Sequence, residues 1–391
     1  MSSAPVTSRR LRVLQCITRL GLGGAERVSF NLMAALRAEI DFAVFTVHGA
    51  IGDEVGEGMR YELEASGTPW FIGTCVPMKR GGMIPGAISL ARAVREFRPD
   101  IIHFHAETAE ACGATMVMLF AKEGRCPMIR TIHNSVFWRF WPRVGRWCDR
   151  LLSRAYVACV SEAACEEFLR YRTDSGVGAL PAPPEVIYNG VAISPREAHR
   201  SPHRANVRRI LFAGRFEPQK GLDVLCHALP KVRLEPEVTG EITFMGHGRQ
   251  ELEVRALAAQ PPAGWSVTVR PPAADLTEIF PQFDLVVMPS RFEGLGLIAV
   301  EATLCGLPMV ATDAPGLREA LPSNYPWLAR PDDTDTLTRA ISKALSESSR
   351  WADVVNGAQQ FALARFGPAA MARGYQRLYS TAAKVDLTFV P

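Results

Sequence analysis

The sequence predicts an α/β chain of two doubly wound parallel-sheet domains facing across a cleft, and three observations carry that expectation. Short, near-continuous apolar runs alternate with amphipathic segments twice over, the pattern of parallel strands covered by helices on both faces. With 391 residues, 48% of them hydrophobic, the chain can bury two cores. Between the alternations lies a polar stretch, 197–208, rich in His, Arg and Pro, which reads as the linker. These features divide the chain into a first domain over 1–195, a second over 196–367 and a tail over 368–391.

The first alternation opens with an apolar run at 11–17, too short for a signal sequence and the right length for a strand. A helix at 25–37, a strand at 42–47, a helix at 84–97 and a strand at 101–105 follow. A helix at 107–120, a strand at 128–133, a basic helix at 142–155 and a strand at 156–160 complete it, and 173–184, rich in Gly, Pro and Ala, is a loop. The second alternation runs through strands at 209–213, 241–245, 266–270, 285–288 and 309–311. Its helices fall at 221–228, 250–259, 275–280, from Leu297 to Cys305 and at 336–345, and the tail is helical over 368–383.

The most informative element is Arg291-Phe292-Glu293-Gly294-Leu295-Gly296-Leu297-Ile298-Ala299-Val300-Glu301. It sets two carboxylates eight positions apart around a glycine-punctuated turn, after a strand that Pro289 and Ser290 end. Glu293 then lies at the strand's carboxyl end and Glu301 about one turn into the next helix, both able to face the crevice where open α/β sheets bind ligands. The amides of Gly294, Leu295, Gly296 and Leu297 form a helix N-terminus suited to an anion, and a carboxylate can accept hydrogen bonds from vicinal hydroxyls. Capping a helix start would explain one acidic residue here, not two around Gly-x-Gly.

Other strand ends carry matching chemistry. Gly214-Arg215 closes one strand and Lys220-Gly221 opens its helix, so a guanidinium fork and a point charge flank a helix start in a way that suits a diphosphate. The alternative is a surface pair satisfied by Glu217 and Asp223. Gly21-Leu22-Gly23-Gly24 lets backbone approach an anion closely. A dinucleotide oxidoreductase would use the same turn, but its ribose acid would have to be Asp41, which begins its strand rather than ending it. His133, beside Asn134 and Ser135, ends a strand and projects into the cleft, whereas His103 and His105, alternating with Phe104, have the pattern of buried structural histidines. Asp333-Thr334-Asp335 fits a D-x-D cation motif, yet it stands at a helix start where Asp335 is expected as an N-cap.

In order and spacing, Glu293-x7-Glu301, Gly306-Leu307-Pro308-Met309-Val310-Ala311-Thr312, Gly21 to Glu26, Pro99 to His105, Thr131 to Asn134, Val160-Ser161, Ile187 to Val191, Phe212 to Gly221 and Gly246-His247-Gly248 resemble the family 4 retaining glycosyltransferases. The resemblance covers most of the chain and implies the GT-B fold. It further implies transfer of a sugar, with retention, from a UDP- or GDP-sugar to a hydroxyl acceptor, often a lipid-linked glycan. By that resemblance Arg215 and Lys220 hold the donor diphosphate and Glu301 the ribose, while Glu293 and His133 lie at the transferred sugar. Gly23, Gly24, Gly214 and the amides of 294–297 line the donor, and Gly246 and His247 form the base pocket. The helix at 368–383 would cross back to the first domain. No cofactor or metal is expected, since Arg215 and Lys220 supply the countercharge. A soluble-metabolite acceptor, a nucleotide-sugar epimerase and a non-catalytic nucleotide-sugar-binding partner are the alternatives.

Composition sets further bounds. A net charge of +4 argues against nucleic acid as the main partner. Nine cysteines without a C-x-x-C read as reduced thiols, and no run reaches the roughly eighteen apolar residues of a membrane span, so a cytoplasmic location is expected. Arginines at 139, 143, 146, 150 and 154 step by four, three, four and four to form one helical stripe. With Phe137, Trp138, Phe140, Trp141 and Trp147 nearby, the segment reads as an interfacial element for an anionic membrane surface, with Trp138, Arg139, Trp141, Arg143 and Arg146 touching membrane or acceptor. An ordinary helix with a solvated basic face is the alternative.

Overall fold

The computed structural model describes residues 9–21, 23–49, 52, 54–138, 141–192, 204, 206–273 and 275–384. The boundary expected at 195/196 and Arg139 of the basic stripe lie outside the described residues.

The first domain carries strands β1 (Leu11–Ile17), β2 (Ile40–Thr46), β3 (Trp70–Ile72), β4 (Ile101–Phe104), β5 (Met128–Ile132), β6 (Tyr156–Cys159) and β7 (Glu185–Val186). All pair in parallel, in the spatial order β3-β2-β1-β4-β5-β6-β7, with Leu11 opposite Ile40 and Val13 opposite Ile101. Helices α1 (Gly24–Leu36), α2 (Glu54–Ala65), α3 (Met83–Phe97), α4 (Glu107–Leu119), α5 (Pro142–Leu151) and α6 (Glu162–Asp174) connect them. The second domain repeats the plan. Strands β8 (Val207–Ala213), β9 (Thr239–Met245), β10 (Trp265–Arg270), β11 (Leu285–Met288), β12 (Met309–Thr312) and β13 (Leu328–Ala329) pair in parallel in the order β10-β9-β8-β11-β12-β13. Its helices are α7 (Leu222–Ala228), α8 (Glu251–Ala259), α9 (Leu297–Leu304), α10 (Thr334–Ser346) and α11 (Trp351–Arg365).

Both sheets reverse their strand order at the centre, between β1 and β4 and between β8 and β11, which are the switch points where such sheets bind ligands. The central strands are buried on both faces because helices cover both, whereas the edge strands β3, β7 and β10 are partly exposed. Leu14, Phe45, Leu90 and Phe104 fill one side of the first sheet, and Val13, Val44, Leu32 and Ile101 fill the other. A last helix, α12 (Pro368–Ala383), returns from the second domain and buries Met371, Tyr375, Leu378 and Tyr379 in the core of the first.

Several elements differ from expectation for identifiable reasons. α2 and α6 were not anticipated because each buries a thin stripe: Val55, Met59 and Leu63 in α2, and Ala164, Phe168 and Arg172 in α6. The helix expected at 275–280 is two 3-10 turns, Leu276–Glu278 and Phe280–Gln282, with Pro281 early in the second. Asp333, not Asp335, is the N-cap of α10: its carboxylate accepts from Asp335 N and Thr336 N at 3.1 and 2.9 Å, and Asp335 instead meets Lys231.

The basic helix is shorter than expected, and its aromatic residues are drawn inward. Trp138 is 3% exposed, its ring lying where a Cβ on Gly145 would sit, and Trp141 and Trp147 are half-buried against the same core. Trp138 therefore cannot belong to a headgroup belt. The aromatic half of the interfacial reading fails at Trp138, while the outer side of the segment is cationic: Arg143, Arg150 and Arg154 are exposed and Arg146 half-exposed. Asp149, the one acidic residue of α5, is buried under Arg130 at 2.5 Å and does not offset them at the surface.

Candidate active site

The carboxyl ends of both sheets face each other across a cleft of about 1430 Å³. β11 ends at Met288, and the loop that follows turns over Gly294 and Gly296 before α9 starts, with Gly296 left-handed at φ 77° in the N-cap position. Gly294 is required by close approach, because a Cβ there would overlap the carbonyl oxygen of His133 in the facing domain. Ser135 Oγ donates to the Glu293 carbonyl at 3.1 Å, and Leu297 reaches Gly24 of the first domain's glycine turn. The two loop systems thus touch at the middle of the cleft.

On the second-domain wall, Lys220 Nζ donates to Glu293 Oε1 at 2.6 Å, and Ser290 Oγ donates to the same oxygen at 2.7 Å. Ser290 is held in turn, its carbonyl accepting from Thr312 Oγ1 of β12. Arg215 is exposed on the cleft and makes no ion pair with any described residue. The surface-pair alternative for these cations is therefore not what is seen, since Glu217 takes Arg249 and Asp223 takes Arg291. Arg215 faces Glu26 of α1, whose pKa burial raises while Arg215 and Arg19 pull it back. Glu301, half-buried on α9, is pushed up to about 7 by burial, against the pull of Arg27 across the cleft.

Not every expected site residue faces the cleft with its side chain. Leu295 is 2% exposed and packs in the second core, leaving its backbone to the cleft. His247 and Gly214 line the cleft, but Gly246 sits behind them, where a Cβ would overlap the Gly214 carbonyl. Gly23 and Gly24 line the opposite lip, at the start of α1.

On the first-domain wall, His133 follows β5 and its Nε2 lies 2.9 Å from Nδ1 of His105, at the end of β4. Burial drives His133 down to about 3, so the ring is neutral at physiological pH. Three contributions escaped the sequence reading: Ser290, Arg27 and Glu319. Glu319 accepts from Glu162 N and Ala163 N at 2.8 Å and from Tyr188 OH at 2.9 Å, so a carboxylate of the second domain caps the first-domain helix α6. Only the order of the chain around Glu319 was visible beforehand, and partners 131 to 157 residues away leave no local signal.

Profiles of known families match both halves: Glycosyltransferase Family 4 over residues 22–194 and Glycosyl transferases group 1 over 207–347. The two matches together place both halves of the chain among the glycosyltransferases, the first half in family 4. A D-inositol 3-phosphate glycosyltransferase of Stackebrandtia nassauensis is 33% identical over 210 residues, 50% of this chain and 47% of that protein, so the chain spans about half of that relative's length. A glycogen synthase of Mycobacterium tuberculosis is 26% identical over 325 residues, 75% of this chain and 73% of that protein. Among solved structures, Anabaena HepE in complex with UDP-glucose superposes with a TM-score of 0.75 at 21% identity, covering 95% of this chain and all of that one. At that identity the likeness shows the fold, which is GT-B.

Proposed function

We propose that the protein is a retaining glycosyltransferase that moves a hexosyl group from a nucleoside diphosphate sugar to a hydroxyl acceptor. One observation carries this reading: an unpaired Arg215, a Lys220 held at Glu293, the α9 N-terminus and Glu301 converge on one wall of a single cleft. That wall offers cations and amides for a diphosphate and carboxylates for hydroxyls. The cleft exceeds the roughly 300–1,000 Å³ usual for one small ligand, which leaves room for an acceptor beside the donor. The UDP-glucose complex of the structural relative and the glycosyltransferase name of the sequence relative support the same assignment.

In this reading the diphosphate lies against Arg215, Lys220 and the amides of 294–297, the ribose against Glu301, and the base by the turn at His247. Glu293 and His133 orient the sugar. The bond from the anomeric carbon to the diphosphate oxygen breaks, and the acceptor oxygen bonds to the same face. Its proton passes to the departing phosphate oxygen. Arg215, Lys220 and the loop amides stabilise the charge that develops there, the kind of preorganised contribution worth most in a water-poor site. Glu293 acts by its charge rather than as a nucleophile, since Lys220 and Ser290 both hold its Oε1. The side chains supply the countercharge, so the reaction needs no metal.

The acceptor lies against the first domain, and we assign it as a lipid-linked glycan at the cytoplasmic face of a membrane. The bare cationic side of α5 on that domain supports the assignment. No helix of the described residues is long and apolar enough to cross a membrane. Thermal unfolding with a panel of UDP- and GDP-sugars tests the donor, because a ligand at a hundred times its dissociation constant adds about 2.7 kcal/mol of stability. Product of unchanged anomeric configuration by NMR supports retention, and inverted product would refute it.

A further inference from the structure

Behind His133 a chain of buried polar groups runs out of the cleft and ends on α12. His133 Nε2 meets His105 Nδ1 at 2.9 Å, and His105 Nε2 meets Gln15 Oε1 at 2.5 Å. Gln15 Nε2 then donates to Tyr379 OH at 3.0 Å, and Tyr379 OH meets His103 Nδ1 at 2.8 Å. From there His103 Nε2 reaches Thr131 Oγ1 at 2.7 Å, and Thr131 reaches Tyr375 OH at 2.9 Å. Gln15, His103 and Tyr379 are wholly buried and His105 is 1% exposed, so no solvent competes for these bonds.

Such a chain has a direction. Tyr379 has a single hydroxyl proton. Accepting from Gln15, it gives that proton to His103 Nδ1. With its amide nitrogen on Tyr379, Gln15 presents its oxygen to His105, which must carry its proton on Nε2. The His105 Nδ1 is then a lone pair and can only accept from His133. His133 is accordingly an Nε2–H tautomer, and its Nδ1, which has no partner among the described residues, is left as a lone pair. Were Gln15 turned over, every bond in the chain would reverse and His133 would carry its proton on Nδ1. All three rings are kept neutral, His103 and His105 held well below the usual histidine range by burial, so tautomer rather than charge is the variable.

We propose that Tyr379 is a positioning residue: through Gln15 and His105 it fixes the tautomer of His133, so that the ring on the cleft wall offers an acceptor to a hydroxyl of the transferred sugar. The role of that acceptor rests on the donor reading above; the tautomer does not. The helix that carries Tyr379 is the one that crosses between domains, so its seating in the first core is transmitted to a group on the cleft.

The test uses the full-length protein with nitrogen-15-labelled histidine. In the wild type without ligand, His133 should give one protonated Nε2 and one unprotonated Nδ1 signal. Tyr379→Phe should convert this to a mixture or to the Nδ1–H form, and lower kcat about three- to tenfold with donor KM within about twofold. Tyr375→Phe removes a buried hydroxyl from the same helix but leaves the Gln15–Tyr379 bond, so the His133 signals and kcat should stay within twofold of wild type. An Nδ1–H form in the wild type, or equal behaviour of the two variants, would overturn the proposal. The spectra need no substrate, so they decide the chain even where no donor is turned over, and failure of the donor reading alone appears as His133 signals unmoved by UDP- or GDP-sugars.

Discussion

The Lys220 ammonium donates to Glu293 at 2.6 Å, with the two side chains 15% and 7% exposed, and Arg215 beside them has no such partner. An arriving diphosphate therefore shares Lys220 with Glu293, because the ammonium has further protons to donate, whereas it meets Arg215 unengaged. Both Lys220→Ala and Arg215→Ala should reduce turnover about a hundredfold or more, since each removes charge stabilisation at the leaving group.

Their stabilities should differ. Removing Lys220 leaves a mostly buried carboxylate with Ser290 alone, a loss of about 1–3 kcal/mol, while Arg215→Ala should stay within about 0.5 kcal/mol of wild type. Denaturant unfolding of the two variants measures this. Equal stability would show that the pair does not hold Glu293.

Nucleotide affinity should fall with pH through Glu301. Burial places its pKa at about 7, so the carboxyl is protonated below that value, and only the carboxylate accepts from both ribose hydroxyls. Dissociation constants should rise about tenfold from pH 8 to pH 6, the change in carboxylate population for such a group. A Glu301→Gln variant should bind more weakly with a flat profile. The same slope in both proteins would assign the titration elsewhere.

The interdomain latch is open to test through Glu319. Glu319→Ala leaves two amides of α6 without their acceptor and the Tyr188 hydroxyl with Arg365 alone, a cost of about 1–3 kcal/mol. A larger radius of gyration by solution scattering and a raised donor KM are expected. Unchanged scattering and KM would mean that the other interdomain contacts, those of Ser135, Gly294, Leu297 and α12, keep the domains together without Glu319.

How much could be read from the chain depended on the range of the signal. Glu293, Glu301, Arg215 and Lys220 stood out because a strand end and a helix start fix their positions within a few residues. β1, β11 and α12 were anticipated over the observed residues or to within one turn for the same reason. The contacts made across the fold escaped detection because of their distance in sequence. Glu319 finds its partners across the cleft, and Gln15 meets Tyr379 across 364 positions. The aromatic cluster misled because Trp138 beside a charged helix looks alike whether it faces lipid or fills the space above Gly145, and only packing decides.

The cationic face of α5 should bind anionic vesicles in a salt-sensitive way. Each arginine near such a surface contributes about 1 kcal/mol. Converting Arg143, Arg150 and Arg154 to Glu should abolish co-sedimentation with phosphatidylserine vesicles at low salt without altering nucleotide binding. Unchanged co-sedimentation would remove the membrane role and shift the acceptor towards a soluble sugar or metabolite.

The donor assignment is tested most directly by calorimetric titration of the protein, in excess EDTA, with UDP, GDP and their sugars. One nucleotude series should bind with one-to-one stoichiometry, and Arg215→Ala should weaken that binding at least tenfold while leaving the fold intact. Absence of binding by both series, binding that requires added magnesium or manganese, or equal affinity in the Arg215→Ala variant would contradict the account.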